Sequence, residues 1–271
     1  MSTKGRPEGE QAPERAARRG APAIDAPAIV FDNVSKTYSM GLHMAGGIKG
    51  LILRPSEAMR RMRLVAREVL HEVSFTVDHG ESVGIIGRNG VGKSTILALI
   101  AGVLRPTSGS VRVTGRVAPL LQLGAGFHPE LTGRDNIVLN GVLLGMRRAE
   151  VAAKSEAIIE FAELADSIDE PIRVYSSGMV SRLGFAVAVH LEPDVLLIDE
   201  SLTVGDATFQ EKCIDKIAEL HARGVTTLLV SHDLGSIARL CDRAMVLDAR
   251  QIAFIGDPAA AVEFYRPGVA S

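Results

Sequence analysis

Cysteine is nearly absent: Cys213 and Cys241 are the only two in 271 residues. Neither has a C-x-x-C neighbour, which argues against a disulfide framework and a thiolate zinc site. Cys213 shares an apolar helical face with Phe209, Ile217 and Leu220, the setting of a buried core thiol. Net charge is missing too. With 30 basic and 32 acidic side chains the balance is −2, so no global basic field exists to hold nucleic acid, and no such partner is expected. No apolar run approaches the roughly 18 residues that span a bilayer, and the N-terminus lacks the apolar core of a secretion signal. The expectation is a cytosolic chain whose membrane role is peripheral. At 46% apolar and 23% charged residues, the composition is that of an ordinary globular protein with ample core.

What is present centres on residues 82–95, SVGIIGRNGVGKST. A short apolar run meets a turn carrying Gly87, Arg88, Asn89, Gly90, Val91 and Gly92, then Lys93, Ser94 and Thr95 open an apolar helical pattern. This is G-x-x-x-x-G-K-[ST] between a strand and a helix, the P-loop. Glycines let successive backbone N–H groups converge, and the positive end of the new helix adds to them, so phosphate oxygens are cradled. Lys93 is expected on the β- and γ-phosphates and the Ser94 hydroxyl on Mg²⁺. The four fixed positions recur by accident in roughly one chain in a hundred of this length. Nucleotide binding is therefore predicted.

Residues 1–26 mix Gly, Pro, Ala, Arg and Glu without periodicity and are predicted to be a disordered tail. Alternation from Ile29 to Tyr38 predicts a strand. Tyr38 has two readings, edge packing or a flat surface for adenine. Residues 39–67 are glycine-rich, then basic: Arg54, Arg60, Arg61, Arg63 and Arg67 alternate with Leu and Met. A short basic amphipathic helix fits, either as a solvated face or as one laid on anionic headgroups. Strand signals resume at Val69 and lead to the turn before the P-loop strand.

The loop at 115–133, GRVAPLLQLGAGFHPELTG, follows a turn and another strand. Gln122 ends an apolar run; it is either a satisfied turn amide or a sensor of Mg²⁺ or γ-phosphate. Exposed Phe127 and Leu131 are predicted to offer a docking surface. Helical periodicity from Asp135 to Asp169 predicts a second lobe. Ser176, Ser177 and Gly178 then precede a small-residue helix that stops before Pro193; they form an N-cap, and hydroxyls with N–H groups there can also hold an anion. Residues 195–199, VLLID, form a buried strand delivering Asp199 as a Mg²⁺ ligand, followed by Glu200 to polarise the attacking water. Asp206 opens the next helix. A further buried strand ends at His232, which is either structural or a donor to the γ-phosphate. A hairpin and a last helix near 258–265 are expected to close the chain.

Taken in order, these stretches resemble the nucleotide-binding subunit of an ABC transporter over residues 29–265. The resemblance implies an α/β P-loop NTPase fold with a mixed sheet core, an antiparallel β subdomain and a helical subdomain at about 134–192, with the basic insertion at 39–67 and a tail at 266–271. It implies two copies packed head to tail, ATP on one P-loop being capped by Ser176, Ser177 and Gly178 of the other. It makes Tyr38 the adenine platform, Gln122 the coupling glutamine and a metal contact, Asp206 the contact across the dimer, and His232 the γ-phosphate sensor. The signature, YSSGM, departs from the usual LSGGQ: Tyr175, Ser177 and Met179 replace Leu, Gly and Gln. With LGAGFHPELTGRDNI and ESLTVGD it is similar to exporters of surface polysaccharides and teichoic acids. A short form without the carbohydrate-reading sandwich of the longer members is expected. The expectation is a homodimeric ATPase, using ATP and Mg²⁺, peripheral on the cytoplasmic face of the membrane. A permease pair would dock near residues 122–133, and a lipid-linked glycan would be handled indirectly.

Other readings divide on the same residues. A soluble ABC-type ATPase usually carries two cassettes or a long coiled-coil insertion. A GTPase would show N-K-x-D, absent here, and a kinase would need neither the signature nor His232. A subunit of another transporter type shares the chemistry and differs in partner.

Overall fold

Uninterrupted apolar runs call for strands covered on both faces. The computed structural model, which describes residues 26–40, 65–120, 124, 126–199 and 205–266, assembles them into the centre of a six-stranded sheet. In chain order the elements are β1 (Ile29–Met40), β2 (Val65–Val77), β3 (Ser82–Gly87), α1 (Lys93–Ile100), β4 (Ser108–Val113) and β5 (Val117–Leu120). Then come α2 (Gly133–Leu143), α3 (Arg148–Ala162), α4 (Ser177–Val189), β6 (Val195–Ile198) and α5 (Ala207–Ala222). The described chain closes with β7 (Thr226–Val230), α6 (Leu234–Leu240), β8 (Arg243–Asp248), β9 (Gln251–Gly256) and α7 (Pro258–Tyr265).

The large sheet has the order β5-β6-β7-β3-β8-β9. Its neighbours run parallel except β9, which returns antiparallel beside β8. Every residue of β3, β6 and β7 is buried. Because side chains alternate across a strand, Ile85, Leu197, Leu228 and Met245 enter one core, while Ile86, Ile198, Leu229 and Val246 enter another. The first core is closed by Leu97 and Ile100 of α1 and by Phe31, Val73 and Phe75 of a smaller sheet. The second is closed by Leu183 and Phe185 of α4 and Phe209 of α5.

The smaller sheet is antiparallel, in the order β2-β1-β4. Phe31 and Phe75 stack across it with ring centroids 4.5 Å apart. Here the sequence expectation needs correcting. β2 begins at Val65, not Val69, and Arg67 stands in a strand rather than on a basic helix. Pairing of Val65, Ala66 and Arg67 with Met40, Ser39 and Tyr38 extends the ladder, and those backbone bonds outweigh the side-chain pattern. The remaining basic residues, Arg54, Arg60, Arg61 and Arg63, lie outside the described residues.

Helices α2, α3 and α4, in the segment expected to be a helical lobe, pack on one another. Thr132 caps α2 by accepting from the Asp135 N–H. Fully buried Asn136 accepts from His128 N–H at 2.7 Å and donates to the carbonyls of His128, Leu131 and Thr132, which fixes the loop ahead of the helix. Phe127, expected to be exposed, is half-buried and packs on the second core; Leu131 remains exposed. Burial of a ring outweighs its solvation wherever a neighbouring helix offers a surface.

Candidate functional site

Parallel strands β3, β6 and β7 end at one edge of the sheet, and the residues just past them build the site. After Gly87 the chain turns through residues 88–92 into α1. Gly92 has φ 120°, a conformation that side chains resist. A Cβ there would lie 2.8 Å from Leu70 Cδ2 and 3.1 Å from the Val69 carbonyl oxygen. The loop is thus seated on β2, and only glycine permits the approach. α1 starts with no side-chain cap and no acid in its first turn, which leaves its N–H groups and positive end for an anion.

A cleft of 440 Å³ opens beside this turn, lined by Tyr38, Arg67, Val69, Asn89, Gly90, Gly92, Lys93, Ser94 and Thr95. Gly87, Arg88 and Val91 shape the turn without lining the cleft. Lys93 is 5% exposed, and its ammonium donates to the carbonyls of Gly87 at 2.8 Å and Arg88 at 3.3 Å. It lies folded back over its own loop. The Ser94 hydroxyl donates to Asp199 Oδ2 at 3.2 Å. One hydroxyl beside one carboxylate is a hard oxygen donor pair, suited to Mg²⁺ with phosphate and water completing its shell. Among the described residues no group of three or more His, Cys, Asp or Glu forms a competing metal site.

Tyr38 lines the cleft. Its hydroxyl lies 3.5 Å from Thr95 Oγ1, and the Lys36 ammonium sits 5.2 Å from its ring centroid. Directly across the β1–β2 ladder from Tyr38 stands Arg67. Arg67 and Val69 were not assigned to this cleft from the sequence. Alternation carried back through the start of β2 is the signal that would have found them.

Gln122 and Glu200 lie outside the described residues. The strands that precede them, β5 and β6, are paired, Leu120 against Ile198. His232 is exposed, just past β7. Asp233 beside it caps α6 and accepts from Gly235 and Ser236. The Ser236 hydroxyl, with those N–H groups, holds the Asp233 carboxyl below its usual range.

Ser176, as predicted, caps α4 by accepting from the Met179 N–H at 3.2 Å. Tyr175 donates its hydroxyl to the Ser167 carbonyl at 2.6 Å, so the residue that replaces leucine is anchored by a polar bond. Burial pushes that phenol's pKa up. Ser176 and Ser177 are exposed, and a Cβ added to Gly178 would meet only Ser176 Oγ, at 3.8 Å. No residue of the 175–179 segment lines the P-loop cleft of the same chain. Asp206 caps α5, with Oδ1 accepting from Phe209 N–H at 3.0 Å and Oδ2 from Arg182 Nη2 at 2.6 Å. The Phe209 N–H first, and then Arg182, hold this carboxyl below its usual range.

The sequence model of the family described as ABC transporter matches residues 70–203. The chain is 51% identical over 244 residues to the O-antigen export system ATP-binding protein RfbB of Klebsiella pneumoniae, covering 90% of this chain and 99% of that one. It is 44% identical over 228 residues to the teichoic acids export ATP-binding protein TagH of Listeria monocytogenes serotype 4b, covering 84% of this chain and 66% of that one. Among solved structures, an ATP-binding subunit of an ABC transporter matches at a TM-score of 0.67 and 24% identity, over 85% of this chain and 90% of that one, a likeness of fold. With a glycine-built phosphate cleft, Ser94 set against Asp199, and these matches, the chain belongs to the ABC transporter family, as an ATP-hydrolysing subunit related to those of the O-antigen and teichoic acid export systems.

Proposed function

We propose that this chain powers export of a lipid-linked polysaccharide of the O-antigen, capsule or teichoic-acid kind across the cytoplasmic membrane. The observation that carries this reading is the 51% identity spanning 99% of an O-antigen export ATP-binding protein. Among the described residues no helix is long and apolar enough to cross a bilayer, so the polymer's path belongs to a separate membrane subunit. That subunit docks beside residues 122–133, where Leu131, Val142, Leu143 and Val174 are exposed apolar side chains of the helical lobe. The chain is then peripheral on the cytoplasmic face.

In the proposed cycle two copies close head to tail. Lys93 exchanges the Gly87 and Arg88 carbonyls for phosphate oxygens, and Ser94 and Asp199 are the residues that would hold Mg²⁺. When bound, that ion would neutralise charge developing on the phosphate oxygens. Ser176, Ser177 and Gly178 come from the other copy; the exposure of the two serines and the uncrowded Gly178 Cα suit a close approach from outside the chain. Glu200 takes a proton from the attacking water, and His232 donates to the γ-phosphate. Gln122 and the docked loop pass closure to the membrane subunit, and reopening resets the pair.

The test is co-reconstitution in vesicles with the polytopic membrane protein that co-purifies with the chain, together with analysis of cells lacking the chain. Accumulation of a lipid-linked glycan on the cytoplasmic side is expected. Normal surface polymer in its absence, or co-purification with a ribosomal or DNA-bound complex instead, would overturn the reading.

A further inference from the structure

Asp206, the proposed contact across the dimer, is engaged within its own chain by a residue that the sequence reading did not single out. Arg182 sits on the signature helix α4, its side chain only 19% exposed. One arm of its guanidinium reaches Asp206 Oδ2 at 2.6 Å and another reaches Glu163 Oε2 at 3.1 Å, while Cζ lies 4.7 Å from the Phe209 ring centroid. Glu163 is the left-handed C-cap of α3, φ 58°. Its second oxygen accepts from Lys212 Nζ at 3.0 Å. Gly205, at φ 71°, would place a Cβ 3.0 Å from Arg182 Nε, so the backbone just before Asp206 lies close against the same guanidinium. Exposed ion pairs taken singly are weak. A planar, largely covered fork on two carboxylates and a ring is different, because it fixes direction as well as distance.

We propose that Arg182 is a positioning residue that locks Asp206 to the signature helix, so that the cross-dimer carboxylate and Ser176–Gly178 reach the second copy in one fixed relation. This rests on the head-to-tail pair proposed above. A staple that merely holds three helices would affect stability alone. A positioning role changes ATP-driven pairing while the P-loop cleft, which Arg182 does not line, still binds ATP.

The test uses full-length chain in a hydrolysis-arrested Glu200→Gln background. Four quantities are read: urea midpoint, affinity for a fluorescent ATP analogue, the ATP-driven dimer constant by sedimentation, and a double-mutant cycle with Asp206→Asn. Arg182→Met, which keeps the stem over Phe209, is expected to weaken the ATP-driven dimer about tenfold with analogue affinity within about twofold. Arg182→Lys, which folds with its charge retained but cannot span both carboxylates, is expected to recover part of the loss. Once Asp206→Asn is present, Arg182→Met should add nothing further. Glu163→Gln, which keeps an acceptor for the guanidinium but loses the charge, is expected to lower the urea midpoint and to weaken pairing less than Arg182→Met does. Unchanged pairing in Arg182→Met and Arg182→Lys, or strictly additive losses with Asp206→Asn, would overturn the inference and leave the dimer reading standing. A parent protein that does not pair with ATP at all would overturn both.

Discussion

Ser94 and Asp199 stand 105 positions apart in the chain, and the Ser94 hydroxyl donates to Asp199 Oδ2 at 3.2 Å. Helix α1 and strand β6 thereby bring one hard oxygen donor each to the same point. Asp199→Asn keeps an acceptor for the hydroxyl and removes the charge a divalent ion needs. ATP binding in EDTA should be preserved, while the magnesium concentration for half-maximal ATPase activity rises about tenfold or more. Superimposable magnesium titrations of the two proteins would refute the assignment.

Glu200, which follows Asp199 directly in the sequence, is the proposed base for the attacking water. Glu200→Gln should bind ATP and turn it over at least about a hundredfold more slowly, a barrier increase of about 3 kcal/mol. Steady-state turnover within tenfold of the parent would remove Glu200 from that role.

Tyr38 lines the cleft beside Thr95. If its ring carries the base, Tyr38→Ala forfeits about 1–3 kcal/mol of stacking and weakens ATP binding about 5- to 150-fold. Tyr38→Phe should stay close to the parent. Titration of a fluorescent ATP analogue decides, and equal affinity in the alanine variant would return Tyr38 to edge packing.

Phe185 is fully buried, with ring centroids 6.0 Å from Phe161 and 6.4 Å from Phe209. Phe185→Ala should lower unfolding stability by about 3–5 kcal/mol in urea, the cost of lost burial plus a cavity. A loss below about 1 kcal/mol would mean that the helical lobe refills the space.

Burial pushes the Cys213 thiol up to about 12 and the Cys241 thiol up to about 11. Since only the thiolate attacks, the native protein should resist Ellman's reagent at pH 8, and both thiols should react once it is unfolded in urea. Rapid labelling of the native chain would contradict this.

The P-loop, the buried strand before Asp199 and the α4 cap at Ser176 were legible because each is local: backbone demand and side-chain type coincide within a few residues. Cys213 was legible in the same way, from one helical face. Arg67 was misread because its fate is set by a partner strand: pairing with Tyr38 makes it a cleft residue, and no nearby periodicity in a basic stretch announces that. Phe127 looked exposed in a glycine-rich loop, yet the helix α4 lies within its reach: a Cβ on Gly124 would lie 2.5 Å from Val180 Cγ1 and 3.4 Å from the Phe127 ring. Arg182 was silent for the same reason, since its partners Glu163 and Asp206 come from two other segments.

Ile85 and Ile86 are neighbours in the chain yet belong to separate cores. Each central strand is therefore a partition wall: the P-loop helix rests against one face and the helices that carry Leu183, Phe185 and Phe209 against the other, divided by a single layer of backbone.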